Sequence, residues 1–141
     1  INRSAPRDLY DIHNLLEFGL FDESEQDMMR KCVVFYSCIG SEKVHNKFTF
    51  ESLDKMPQNK IKTDLLPVLR FGAYFDLKPA RENVVNYLQN LLNLNQQEQE
   101  FINQFGKGHF MPELLFDGDI LENVKEHPMA KWKCDKTRKN V

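Results

Sequence analysis

Long apolar runs are missing from this chain of 141 residues. The longest, Cys32–Ile39, is interrupted by Ser37 and falls far short of the roughly 18–20 residues that a membrane-spanning helix needs. The first residues, Ile1-Asn2-Arg3-Ser4-Ala5-Pro6-Arg7-Asp8, contain no apolar core of a secretory leader, so none is expected. Cysteine is scarce. Cys32, Cys38 and Cys134 are odd in number and form no C-x-x-C pair, which argues against a disulfide framework and against zinc. Buried free thiols in a reducing cytoplasm are the expectation. An excess of one charge sign is missing too. The net charge of -2 at pH 7 does not, for the chain as a whole, advertise nucleic-acid or membrane binding. His13, His45, His109 and His127 show no H-E-x-x-H or paired spacing, so no metal site is expected from them. Asp117-Gly118-Asp119 does not continue as a calcium loop and reads as a turn followed by a helix cap.

What is present describes a soluble globular protein. Hydrophobic residues make up 41% and charged residues 28%, and eleven phenylalanines supply core mass. Glycine and proline, six of each, fall mostly between periodic segments, the punctuation of helices joined by short loops. Pro6 to Phe18 carries an apolar stripe of Leu9, Ile12, Leu15 and Leu16, with Ser4 or Ala5 at its cap and Gly19 as its stop. Asp22 and Glu25 read as a capping box that opens a central helix, 23–39. Lys47-Phe48-Thr49-Phe50 alternates for a moment, too briefly to predict a sheet. Ile61 to Leu69 predicts a short helix bent or ended near Pro67. Helices are expected over 79–92 and 96–105, with Leu88 and Phe101 in the core and the pair packed antiparallel. A short helix from Pro112 and another over 120–126 follow. Phe71, Tyr74, Phe75, Phe101, Phe105 and Phe110 are expected in the core rather than as a base-stacking platform. The fold class is therefore all-α, an irregular multi-helix bundle. It is expected as one helical domain over 1–141, with a motif region over 1–19, a helical body over 20–130 and a basic, frayed tail over 131–141.

The most informative segment is Arg7-Asp8-Leu9-Tyr10-Asp11-Ile12. On a helix Asp8 and Asp11 are three apart and Arg7 and Asp11 four apart, so a charged cluster gathers at a helix start opposite an apolar stripe. Two carboxylates at this spacing can hold a divalent metal, orient a lysine or polarise a hydroxyl. The plainer reading is a helix-dipole residue at Asp8 and an ordinary surface pair between Arg7 and Asp11. His13 is placed to line the cluster's edge, or to serve a structural role.

Arg7-Asp8-Leu9-Tyr10-Asp11, followed by Ile12-His13-Asn14-Leu15-Leu16, resembles the R-D-x-x-D motif of the AbiEii/AbiGii toxin family, nucleotidyltransferase-fold toxins of type IV toxin–antitoxin and abortive-infection systems. Arg3 matches the last residue of the family's preceding K-x-x-A-x-x-x-R motif, whose lysine would lie before Ile1. The ending, Pro112-Glu113-Leu114-Leu115-Phe116 with His127-Pro128-Met129-Ala130-Lys131-Trp132-Lys133, is also similar to that of many members. The resemblance implies a bacterial, cytoplasmic phage-defence enzyme. In full length it would transfer nucleotides from an NTP, with Mg2+, to an RNA such as tRNA, and it would be held in check by a cognate antitoxin. Asp8 and Asp11 would be catalytic, and Arg3 and Arg7 would face substrate or support the fold. The family's core, a Gly-Ser or Gly-Gly turn with a D-x-D pair on a strand, is not expected in these residues, since Asp117-Gly118-Asp119 falls in a loop near the wrong end. The chain is accordingly expected to be the C-terminal helical portion, inactive by itself, without metal or cofactor, and prone to self-association through the surface that would meet the core. The alternative is a non-catalytic helical module that binds RNA or an antitoxin. For either, Lys131, Lys133, Lys136, Arg138 and Lys139 against the single acid Asp135 offer contacts to RNA phosphates, where a solvated tail is the plainer reading.

Overall fold

Pro6 and Gly19 bracket the first helix as their backbones dictate. Helix α1 (Pro6–Glu17) has Pro6 in its first turn, where a missing N–H costs nothing, and Ala5 in an extended conformation at the cap. Its end is closed by Phe18 N–H donating to Asn14 O at 2.9 Å, and Gly19 then turns away with φ +61°. The structure is a computed structural model that describes residues 5–19, 22–45, 47–70, 72 and 75–140. Among them there are eight α-helices and no strand, so the fold is all-α. Lys47–Phe50 forms no hairpin, and Phe71 and Tyr74 lie outside the described residues.

The remaining helices are α2 (Glu23–Gly40), α3 (Glu51–Asp54), α4 (Gln58–Lys60), α5 (Leu77–Leu91), α6 (Gln96–Gly106), α7 (Gly118–Val124) and α8 (Pro128–Lys139). The capping box expected before α2 is formed. Glu25 N–H donates to Asp22 Oδ1 at 3.0 Å, and Asp22 N–H reaches back to Glu25 Oε2 at 3.5 Å. After α4 the chain widens into a π turn, Ile61–Leu65, then tightens into a 3-10 turn, Leu66–Val68, that contains Pro67. A proline ring crowds the carbonyl four residues back and supplies no N–H, so the helical path breaks there. Helix α5 starts two residues earlier than the sequence predicts, at Leu77. Asp76 caps it by accepting from Lys78 N–H at 3.3 Å, and Pro79 is accommodated in the first turn, where donors need no helical partner. The segment expected as a frayed tail is helix α8, ordered through Lys139 with Pro128 in its first turn and His127 as its cap.

The contacts divide the chain into two compact units, each made of two stretches of sequence. One comprises residues 1–25 and 49–92, the other 26–48 and 93–141. In the first, α1 packs against α5 and against the π turn, and α3 also meets α5. Leu9 and Val84 are fully buried in this unit, and Leu88 is 7% exposed. In the second, Phe35 and Cys38 of α2, Phe101, Ile102 and Phe105 of α6 and Cys134 of α8 belong to one apolar cluster. Leu88 and Phe101 are thus both core residues, one in each unit.

Candidate functional site

The residues singled out by the sequence lie on the first turns of α1. Leu9 is fully buried and anchors the helix. Arg7 and Asp11 are exposed, and Asp8 is half-buried in the first turn, where the helix dipole favours a carboxylate. No ion pair joins Arg7 to Asp11 among the described residues, and Arg3 lies outside them. Nor do the described residues hold a group of three or more His, Cys, Asp or Glu side chains placed to bind a metal ion.

Next to the motif, Tyr10, His13 and Asn14 turn toward the start of α5. With Phe75, Asp76, Pro79 and Ala80 they line an open hollow of about 240 Å³. Phe75 meets Tyr10 and His13 edge-on, with centroids 5.4 Å and 6.1 Å apart. His13 Nδ1 lies 3.4 Å from Asn83 Nδ2 of α5. His13 therefore belongs to the wall of this hollow, which Asp8 and Asp11 do not line.

Two charged side chains in the second unit go to hold helix ends. Glu98 is 0% exposed. Its carboxylate takes Arg30 Nε–H at 2.8 Å and 3.0 Å and also accepts from Asn95 N–H at 2.9 Å. Asn95 Oδ1 in turn accepts from Glu98 N–H at 2.9 Å, completing a capping box on α6. Burial works against the Arg30 charge, but the hydrogen bond and charge of Glu98, with Asp27 beside it, outweigh this and raise the guanidinium above its ordinary value. Lys133 donates to the carbonyls of Cys38 at 2.5 Å and Ile39 at 3.2 Å and to that of Ser41, so its ammonium sits at the negative end of α2. Burial pushes Lys133 below the usual lysine range. It likewise pushes the Cys38 thiol up to about 12 and the Cys134 thiol up to about 11, so both are protonated and inert at neutral pH.

The outward side of α8 is the feature that sequence reading missed. Trp132 is 54% exposed and carries the Lys136 ammonium 5.0 Å above its ring centroid. Their four-residue spacing is the available signal, and the surrounding run of lysines masks it. No family model, no curated protein and no solved structure matches the chain.

Proposed function

We propose that the chain is the helical portion of an AbiEii-type nucleotidyltransferase that acts on an RNA such as tRNA. The observation that supports this reading is the display of the R-D-x-x-D segment. Leu9 is sunk in the core, while Arg7 and Asp11 stand free at the surface on the first turns of the same helix and Asp8 lies half-buried beside them. Among the described residues of the first unit, neither Arg7 nor Asp11 joins the side-chain hydrogen bonds that tie its elements together. In this reading Asp8 and Asp11 complete a site whose glycine turn and D-x-D pair are supplied by sequence beyond these 141 residues. Bound Mg2+ would neutralise charge on the triphosphate and on the pyrophosphate that leaves. The chain's own residues would add negative charge next to the metal through Asp8 and Asp11, and Arg7 would pair with phosphate or acceptor RNA. A cognate antitoxin would act on the whole protein.

The test is incorporation of labelled nucleotide into total tRNA. The full-length protein should transfer, and Asp8→Ala or Asp11→Ala should lower the rate sharply without changing the far-UV circular dichroism. The 141-residue chain alone should not transfer. Full activity in both full-length variants would refute a catalytic role and reduce the motif to scaffold. The exposed basic side of α8 favours a second reading, a helical module that binds RNA without chemistry. RNA binding by a full-length protein that transfers no nucleotide would decide for it.

A further inference from the structure

Lysines and arginines of α8 and its approach are not equivalent. Lys125 pairs with Glu122, Lys131 with Glu126 at 2.7 Å, and Arg138 with Asp135. Lys133 is committed to the carbonyl end of α2. Lys136 and Lys139 form no ion pair among the described residues. At about 100° per residue, Met129, Trp132, Lys136 and Lys139 fall within an arc of about 80° on one side of the helix. That side points away from the core, since Ala130 and Cys134 on the other side are 0% and 2% exposed. Met129 is 52% exposed. A second exposed ring, Tyr36, stands edge-on to His127, the residue that caps α8, with centroids 6.4 Å apart.

We propose that this side of α8 is a docking surface for single-stranded RNA, with Trp132 stacking an unpaired base and Lys136 and Lys139 meeting the flanking phosphates. Charge decides the occupant. The two cations without carboxylate partners lie one and two turns beyond the exposed indole on the same side, and the one acid on this side of the helix, Asp135, is neutralised by Arg138. A purely apolar protein partner would have to bury both ammonium groups unpaired, which is costly. A single strand satisfies both demands at once, because every base has a stacking face and every step carries a phosphate. A duplex hides its bases and offers Trp132 nothing to stack on. The choice of RNA rests on the function proposed above, but the surface lies on a different helix from Asp8 and Asp11.

The chain contains one tryptophan, so its fluorescence reports this position alone. The 141-residue chain is titrated with a short unstructured RNA oligonucleotide, with the same sequence as a duplex, and with no RNA over a range of protein concentrations. Saturable quenching of Trp132 by the single strand, weaker binding of the duplex and an affinity that falls with salt are expected. Followed through a labelled RNA, Trp132→Ala should weaken binding about 10-fold and Trp132→Phe much less. Lys136→Glu with Lys139→Glu should weaken it further at low salt and flatten the salt dependence. Circular dichroism checks that these exposed substitutions leave the fold intact. Equal affinity of Trp132→Ala and the parent chain would overturn the proposal. So would the absence of binding at low salt, or an RNA-free, concentration-dependent blue shift removed by Lys136→Glu, which would assign the surface to a second copy of the chain. Failure here with nucleotide transfer intact would leave the proposed function standing. Stacking without any transfer by the full-length protein would do the reverse.

Discussion

Replacing Glu98 tests whether the second unit is held by the one fully buried carboxylate among its described residues. The side chain accepts from two donors, the single Arg30 Nε–H shared between its two oxygens and Asn95 N–H, with no access to water. Glu98→Gln keeps the size, and its carbonyl can still receive one donor. Its amide NH2, however, must then face the Arg30 guanidinium, whose side chain is only 17% exposed. Breaking a buried pair by removing one partner costs about 3–5 kcal/mol, because the other charge is left behind. Here Asp27 remains beside Arg30, which lowers the expectation to about 3 kcal/mol. For a chain of this length that corresponds to a drop in Tm of roughly 10 °C. The assay is urea unfolding followed by circular dichroism, on Glu98→Gln, Arg30→Met and the double variant. Each single change should be strongly destabilising. The double should be less so than the sum of the two, with a coupling of about 2 kcal/mol or more, since it removes both unpaired charges at once. A loss below about 1 kcal/mol for Glu98→Gln, or strict additivity, would refute the account of this pair as an interdependent buried unit.

Gly108→Ala should cost about 1–3 kcal/mol, read by the same unfolding assay, because its φ is +86° and an added Cβ would stand 2.9 Å from the Cys134 carbonyl oxygen of α8. Stability should fall as pH rises from about 9 toward 11–12, since the unfolded thiols ionise near their ordinary value of 9.0 while burial keeps Cys38 protonated up to about 12 and Cys134 up to about 11. The opposite trend from Lys133, whose folded value is lowered by burial, opposes this loss in the range just below the ordinary 10.5, so Cys38→Ala should flatten the alkaline limb of a Tm-against-pH curve. An unchanged alkaline limb in that variant would remove the thiols as its cause.

Most helix positions were legible because their signals are local. Pro6 and Gly19 mark the ends of α1, Asp22 with Glu25 opens α2, and Asn95 opens α6, all through groups within four residues of one another. The start of α5 was misplaced because Pro79 is a stronger visible mark than Asp76, although the aspartate makes the cap. Helix α8 was read as a tail because a run of lysines looks solvated, while the apolar pair that seats it, Ala130 and Cys134, is small and easily passed over. Arg30 with Glu98, and Lys133 with the end of α2, join residues far apart in sequence, and no periodicity announces them. The Arg7–Asp8–Asp11 constellation is visible as a motif, but spacing alone does not say that Arg7 and Asp11 form no ion pair among the described residues.

The second unit separates its charges by task, and that separation constrains where function can reside. Glu98 and Arg30 satisfy the N-terminal end of α6, and Lys133 satisfies the C-terminal end of α2. Each of these side chains is engaged by backbone groups or by a buried partner, so drawing it toward a ligand would reopen a helix end. Gly108 lets the turn after α6 press against the backbone of α8, which fixes the rotation of that helix and hence which residues it turns outward. What remains outward, Met129, Trp132, Lys136 and Lys139, contributes nothing to closing the helix ends or filling the core. Substitutions on the inward set should therefore change stability first and RNA affinity only through unfolding. Substitutions on the outward set should change RNA affinity at constant stability. A variant such as Trp132→Ala that lowered Tm as much as Glu98→Gln would show that the outward residues also hold α8 in place, and this division of labour would fail.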